Sequence, residues 1–238
     1  MKKKEMLKNL FGFNKNLVLI NVPVRHGTLY GDKDKTELTN DFVTFDEVKS
    51  IFEAHKALAM IKANHNMYDK ADKHEFGKKK YNNLFIGGPL ANEKVADIFR
   101  QFFKGFKFGV FEDSKYLSQD NASALSDLIF LDETKENREV QLFEGENNKV
   151  YFDTNDGYII LIKLSANDYN DPEHGTIHVC FGNNSNTSLN ASKIYLEETE
   201  FLYEKLKNRD HYFVYIGCRN EKPFLDDFHD YTNIYFKE

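Results

Sequence analysis

Two glycines between a short apolar segment and a helix start form the part of this sequence best suited to hold a ligand. The loop Gly87–Asn92 follows the apolar residues Leu84–Ile86 and precedes a helical pattern. Glycines let backbone N–H groups approach a ligand, a side chain at Gly88 would intrude on it, and a helix N-terminus favours an anion. Because neither GxGxxG nor GxxxxGKS/T is present, a purely structural turn is the alternative. The candidate ligand-binding residues here are Gly87, Gly88, Pro89 and Asn92.

A second loop, rich in amide and hydroxyl side chains, has the same placement between a strand-like segment and a helical one. It follows residues 176–181 and leads into a helix for which Asn190 is the expected N-cap. Such side chains bind hydroxyls, phosphates and base edges, but they also cap helices and line solvated loops. The candidate ligand-binding residues of this loop are Gly182, Asn183, Asn184, Ser188 and Asn190.

Arg25 and His26 begin a polar segment, residues 25–40, that we expect to be a loop directly after an apolar strand over residues 17–24. In an open α/β sheet, ligands bind outside the carboxyl ends of the strands. If this strand and the strands before the two loops above are parallel, all three loops lie at one edge. We therefore include Arg25 and His26 among the candidate ligand-binding residues.

The first half of the chain, residues 1–111, predicts a β-α-β-α-β unit over residues 17–111. The nearly continuous apolar run in residues 17–24 is typical of a strand buried in a parallel sheet. Thr44 and Glu47 fit a capping box and predict a helix that ends near Ala63. The apolar face expected for this helix comprises Val48, Ile51, Phe52, His55, Leu58 and Ala59. The pattern then predicts an exposed loop over 65–80, a strand over 84–86, a helix over 92–104 capped by Asn92 and a strand over 106–111.

The second half, residues 112–238, predicts the mixed part of the sheet. Residues 140–143 and 150–152 form a hairpin pattern, and 122–131 fit either a helix or a strand. Strands over 158–164 and 176–181 are expected to pair antiparallel. The rest of the chain predicts a helix over 190–207, a strand over 211–217 and a tail over 224–236. We expect this tail to pack as a lid or an edge. The sequence thus predicts a single α/β domain over residues 1–238, with a Rossmann-like, mixed but mainly parallel sheet flanked by helices.

Composition excludes several classes of function. The formal net charge of −6 opposes the basic field that direct nucleic-acid binding needs. Cys180 and Cys218 follow apolar runs and predict buried free thiols in a reducing compartment. No apolar run approaches the ~20 residues that span a bilayer, and no cleavage site follows the N-terminal lysines. We expect a cytoplasmic protein without a cofactor and without membrane contact; the sequence leaves open whether it forms a homo-oligomer.

Two polar clusters contain residue types that bind metals, but each is better explained as a polar loop. Their members are Asp168, Asp171, Glu173 and His174 in one case and His65, Asp69 and His74 in the other. We therefore predict no metal site.

The run Arg25-His26-Gly27-Thr28 resembles the RHG signature of the histidine phosphatases. In that family the His accepts the phosphoryl group and the Arg binds phosphate. The family's second Arg motif, with its following Thr, is missing here, and His178 is the available candidate for its second His.

Three further segments resemble Rossmann-like sensor domains of bacterial and phage conflict systems, in the SLOG-like and deoxyribosyltransferase-like groups. These segments are Leu84 to Asn92, Asp156-Gly157-Tyr158 with its strand, and Phe181 to Leu196. The resemblance implies binding or cleavage of nucleotides and NAD derivatives, and a role in antiviral defence or counter-defence. A deoxyribosyltransferase needs a nucleophilic carboxylate, for which Glu197 and Glu198 are the candidates, although surface helix charge explains both.

Three functions follow in order of preference. The first is a module that binds a nucleotide-like or phosphorylated small molecule, as a sensor or a ligand trap. The second is an enzyme that cleaves an N-glycosidic bond or a phosphoester at the same site, and the third is a protein-interaction domain with no ligand. The first is preferred to the second because no nucleophile–base pair is evident, and to the third because three loops converge on one edge.

Overall fold

The structure is a computed structural model. It describes residues 1–22, 25–30, 37–42, 45–67, 80–89, 92–103, 111–112, 115–116, 139–144, 149–153, 157–183 and 185–236, in some cases by their backbone alone. The described strands are β1 (Val18–Asn21), β2 (Arg25–Tyr30), β3 (Glu37–Phe42), β4 (His65–Met67), β5 (Asn82–Ile86), β6 (Phe111–Glu112), β7 (Lys115–Tyr116), β8 (Glu139–Glu144), β9 (Lys149–Asp153), β10 (Tyr158–Leu164), β11 (Ile177–Gly182), β12 (Tyr212–Arg219) and β13 (Lys222–Asp230). The described helices are α1 (Lys3–Phe11), α2 (Phe45–Ile61), α3 (Glu93–Phe102), α4 (Ser185–Glu197), α5 (Thr199–Leu206) and α6 (Thr232–Tyr235), with a 3-10 helix over Ala166–Tyr169.

A seven-stranded mixed sheet forms the centre of the fold, in the order β13-β12-β10-β11-β5-β1-β4. The strands β4, β1, β5 and β11 are parallel to their neighbours in that block, whereas β10, β12 and β13 extend the sheet by antiparallel pairing. The predicted α/β class, with a mixed sheet flanked by helices, is therefore confirmed. Strands from before residue 111 and from after residue 112 share this one sheet.

Helices cover the sheet on two faces because its central strands are apolar on both sides. Alternate residues of β5 show this division: Leu84 and Ile86 pack in the core under α1, α2, α4 and α5, whereas Phe85 packs in the core under α3. The second core is largely aromatic: Phe99 of α3 is edge-on to Phe213 of β12, and Phe103, the C-cap of α3, is tilted against the same ring. The helices after β1 and β5 thus lie on opposite faces.

The N-terminal helix α1 was not predicted. Only Leu7, Leu10 and Phe11 of its nine residues are buried, so its apolar stripe is short and interrupted by lysines and asparagines. Gly12 ends the helix in a left-handed conformation, with φ of 57°, and donates its N–H to the carbonyl of Lys8. Contacts with the sheet, rather than helix propensity, stabilise a helix this short.

The helix α2 confirms the prediction for residues 45–63, but the predicted buried face is wrong by part of a turn. Val48 and Phe52 are exposed, the latter by 62%. The buried positions are Ser50, Ile51, Ala54, Ala57, Leu58 and Ile61. Ala54 and Ala57 are small enough for α2 to pack closely against α4. The contact between these two helices therefore determines which face of α2 is buried. Thr44, the predicted N-cap, lies outside the described residues.

Two segments predicted as loops contain strands. Residues 25–30 and 37–42 pair as the antiparallel hairpin β2–β3, and β4 pairs parallel with β1 at the edge of the main sheet. The polar composition of these strands hid them, because a hairpin or an edge strand needs little apolar burial. The first strand is also shorter than predicted, since β1 ends at Asn21.

The predicted helix over 190–207 is in fact two helices, α4 and α5, with a break at Glu198. Because α4 begins at Ser185, Asn190 lies inside the helix and the prediction that it is an N-cap is wrong. The antiparallel pairing of β10 with β11 is confirmed, as is the β8–β9 hairpin. The predicted tail is the edge strand β13 followed by α6.

The predicted third strand over 106–111 is not found in the main sheet as far as the structure describes it. Phe111 instead belongs to the short hairpin β6–β7, and residues 106–110 lie outside the described ranges. Residues 122–131 also lie outside them.

The two faces of α2 give a matched test of this packing. Leu58 is fully buried, so Leu58→Ala should lower the free energy of unfolding by about 2–5 kcal/mol, whereas Phe52→Ala should change it by about 0.5 kcal/mol or less. Urea denaturation of both variants measures this. Equal losses would contradict the burial described for α2.

Candidate functional site

Three strand ends meet at the carboxyl edge of the sheet. Because β5 pairs parallel with β1 on one side and with β11 on the other, the loops that follow these strands lie side by side. The chain leaves β1 towards α2 on one face and leaves β5 towards α3 on the other. Adjacent parallel strands whose helices lie on opposite faces form a topological switch point, where open α/β sheets have a crevice.

The glycine loop is a tight turn closed by its own backbone. Gly87 has a φ of 102°, which favours glycine, and its N–H donates to the carbonyl of Cys180 at 3.1 Å. The N–H of Asn92 donates to the carbonyl of Gly88 at 3.0 Å. Asn92 is the N-cap of α3, as predicted, and its Oδ1 accepts from the N–H of Lys94 at 3.1 Å.

The structure gives a packing reason for the small size of Gly88. A Cβ at this position would lie 2.7 Å from the ring of Phe181, which is buried in the aromatic core. The close neighbour of Gly88 is therefore a side chain of β11. Packing of the loop against the next strand explains this glycine, so its presence alone does not indicate a ligand.

Hydrogen bonds to β10 and α4 fix the second loop, which follows β11. Asn183 Oδ1 accepts from the N–H of Tyr158 and from the hydroxyl of Thr187, each at 3.1 Å. The hydroxyl of Ser188 accepts from the N–H of Gly182 at 3.0 Å. A Cβ on Gly182 would collide with Thr187. The residue types predicted to bind a ligand here thus also hold α4 onto the sheet.

Asn190 joins α4 to the hairpin between β12 and β13. Its side chain donates to the carbonyl of Glu221 at 2.7 Å, and Asn186 donates to the carboxylate of the same residue at 2.7 Å. Of the remaining predicted residues, Asn184 and the side chains of Arg25 and His26 lie outside what the structure describes. The backbone places Arg25 and His26 in the strand β2 and not in a loop.

Asn21, at the carboxyl end of β1, was not among the predicted residues and has an unusual environment. It is only 3% exposed, and its Nδ2 donates back along the strand to the carbonyl of Leu19 at 3.0 Å and to Asn83 Oδ1 at 3.3 Å. Its Oδ1 is buried and has no hydrogen-bond partner among the residues that the structure describes. The sequence signal was an amide that ends an apolar strand.

A second polar cluster, at the opposite edge of the sheet, is fully satisfied within the core. Nε2 of His178 donates to the carbonyl of Phe11 at 2.8 Å. Its Nδ1 lies 3.3 Å from the hydroxyls of both Tyr195 and Tyr212, which are 3.0 Å from each other, so one hydroxyl donates to Nδ1 and the other donates to that hydroxyl. Both ring nitrogens are therefore occupied, and the bond from Nε2 holds the end of α1 against β11. His178 is fully buried, which rules it out as the second histidine of a phosphatase site.

Burial sets the protonation of this cluster. Desolvation, and then the nearby charge of Lys163, lower the pKa of His178 to about 3. Desolvation also lowers the pKa of Lys163 to about 8, against the opposing effect of Asp210. Lys163 donates to the carbonyl of Arg209 at 2.8 Å, so its ammonium group supports the chain before β12.

The other polar candidates lie away from the carboxyl edge. The thirteen residues of α4 span about 18 Å, so Glu197 and Glu198 lie at its far end, remote from the glycine loop. Asp168 accepts from Nδ1 of His211 at 2.8 Å and from the N–H of Ser165. In the described part of the chain, no group of three or more His, Cys, Asp or Glu side chains is arranged to hold a metal ion. Cys180 and Cys218 are buried free thiols, as predicted.

Comparison with known proteins found no match among family models, curated proteins or solved structures. Within the described ranges, no helix is both long enough and apolar enough to span a bilayer.

The contact between Gly88 and Phe181 predicts a coupling between these two positions. Gly88→Ala should cost about 1–3 kcal/mol of stability because its methyl group overpacks the ring. Adding Phe181→Leu should recover part of this loss, with a favourable coupling of at least about 0.5 kcal/mol in a double-mutant cycle measured by urea denaturation. Strict additivity of the two changes would contradict the packing explanation.

The pKa of His178 predicts a pH dependence of stability. Its folded pKa of about 3 lies below the ordinary value of about 6.5, so the unfolded chain binds a proton first as the pH falls. This residue should therefore remove about 2 kcal/mol of stability between pH 7.5 and pH 5. His178→Gln keeps an N–H donor for Phe11 but cannot titrate. The free energy of unfolding of this variant should fall less over that range, and an identical slope would contradict the assignment.

Proposed function

We propose that this protein binds a nucleotide or a similar phosphorylated small molecule at the carboxyl edge of a Rossmann-like sheet, as a sensor or a ligand trap. Its resemblance to sensor domains of conflict systems extends the proposal to a role in bacterial or phage defence or counter-defence. The observation that carries the proposal is the switch point between β1 and β5, which lies directly before the N-terminus of α3.

The hydrogen bonds at the start of α3 support an anion at this point. Of the N–H groups that an α-helix leaves unpaired at its N-terminus, Asn92 donates to Gly88 and Lys94 donates to the cap. An α-helix does not pair the N–H groups of its first turn internally, so we propose that those of Glu93 and Val95 bind the anion. The ammonium group of Lys94 lies 3.8 Å from the carboxylate of Asp97, so the attraction would come from the backbone and the helix dipole.

Binding is a better proposal than catalysis for the described part of this edge. The candidate side chains described here are amides and hydroxyls engaged in structural hydrogen bonds, and the carboxylates suggested for bond cleavage lie at the far end of α4. Cleavage of an N-glycosidic bond would need a nucleophilic carboxylate or a general base within hydrogen-bond reach of the ligand.

A proline substitution can remove one backbone donor without breaking the helix. Glu93 is the first residue of α3, a position that favours proline, and Asn92 has the extended backbone, φ −137° and ψ 109°, that a residue before proline prefers. Glu93→Pro should therefore fold normally but lose at least tenfold in affinity for AMP, because it lacks the N–H group. Isothermal titration calorimetry measures the affinity.

Glu93→Ala is the matched control, because it removes the same carboxylate and keeps the N–H group. It should bind AMP at least as tightly as the unaltered protein. A panel of inorganic phosphate, AMP, cyclic AMP, NAD and ADP-ribose, assayed by thermal melting, completes the test; a ligand at 100 times its Kd stabilises by about 2.7 kcal/mol. If no compound of the panel shifts the Tm of the unaltered protein, the protein-interaction function is the better one.

A further inference from the structure

Asn21 is a buried amide whose hydrogen bonds are half completed. Among buried side-chain nitrogen and oxygen atoms in the described part of the chain, its Oδ1 stands out because it has no partner. Buried acceptors in folded proteins nearly always have a partner, so an unpaired one requires an explanation, which a bound ligand or an ordered water supplies. The amide orientation is fixed, because Nδ2 lies 3.0 Å from the carbonyl of Leu19, which requires a donor.

The register of the sheet places this oxygen at the switch point. Asn21 pairs with Phe85 of β5, and Phe85 packs in the core beneath α3. Residues that pair in register point to the same face, so the side chain of Asn21 lies on the face that α3 covers. Since Nδ2 is directed back towards Leu19, the planar amide turns Oδ1 towards the carboxyl end of β1.

We propose that Asn21 recognises the sugar of the bound ligand, by accepting a hydrogen bond from a ribose hydroxyl through Oδ1. The inference rests on the proposed function, in which the phosphate lies at the N-terminus of α3. A carbonyl oxygen can only accept, so the ligand must supply a donor near its phosphate, and phosphate alone at neutral pH is mainly an acceptor. A ribose phosphate carries both groups on one sugar. The ligand class is therefore a nucleoside phosphate with a free 2′- or 3′-hydroxyl.

A pair of ligands and a pair of proteins test this assignment. AMP and 2′,3′-dideoxy-AMP share their base and phosphate and differ only in the two hydroxyls. The unaltered protein should bind AMP about tenfold more tightly than dideoxy-AMP. Asn21→Leu, which has a similar volume and no acceptor, should bind the two ligands equally, each at about the affinity that the unaltered protein has for dideoxy-AMP. Isothermal titration calorimetry measures all four affinities.

Each other outcome overturns a different statement. An unaltered protein that responds to the phosphate-containing panel but does not distinguish AMP from dideoxy-AMP overturns the role of Asn21 and leaves the proposed function standing. Equal losses for both ligands in Asn21→Leu would assign the donor to the base and overturn the sugar assignment. No response to any compound of the panel overturns the proposed function together with this inference.

A measurement on the unaltered protein keeps the test valid if Asn21→Leu does not fold. The side-chain amide signals of Asn21 in a ¹H–¹⁵N correlation spectrum should shift on addition of ribose 5-phosphate and stay unchanged with inorganic phosphate. The amide of Asn82 is the internal control, because it is buried at the opposite end of β5, where its donors bond to Asn14 and Asn16. An Asn21 signal that does not respond to ribose 5-phosphate, as expected if Oδ1 holds only an ordered water, contradicts the proposal.

Discussion

The parallel pairing of β5 with β1 on one side and β11 on the other is the constraint on which the rest of the structure depends. Parallel neighbours require crossover connections, and these bring helices onto both faces of the sheet. As a result, the carboxyl ends of all four parallel strands lie at the same edge of the sheet. The crevice between β1 and β5 therefore results from topology, before any side chain in it is considered.

Most of the polar residues at this edge hold the fold together. Asn183 joins β10 to the loop before α4, and Asn190 joins α4 to the β12–β13 hairpin. The same edge therefore carries two types of group: amides that are hydrogen-bonded to neighbouring elements, and the Oδ1 of Asn21, which has no partner among the described residues. The unpaired acceptor thus belongs to β1, whereas most of the polar residues lie in the loop before α4.

The hydrogen bonding of buried polar groups differs between the two edges of the sheet. At the amino end of β11, the ring of His178 bonds to α1 and to a hydrogen-bonded pair of tyrosine hydroxyls, and its lowered pKa keeps it neutral. That cluster replaces apolar contacts which the short helix α1 cannot supply. At the carboxyl end of β1, by contrast, the Oδ1 of Asn21 has no hydrogen-bond partner in the described part of the chain. The unpaired acceptor therefore lies at the edge where we propose that the ligand binds.

The sequence by itself determined the elements whose signals are local. Apolar runs located the buried strands β1, β5, β10, β11 and β12, and the cap at Asn92 located α3, because strand burial and capping depend on a few neighbouring residues. Sequence could not locate β2, β3 or β4, whose polar residues are paired only by tertiary contacts, nor the buried face of α2, which contact with α4 decides. It also proposed Gly88 and Asn190 for a ligand, whereas the fold uses them against Phe181 and Glu221. Only the tertiary structure singled out Asn21, because an unpaired acceptor is defined by the absence of partners that come from distant parts of the chain.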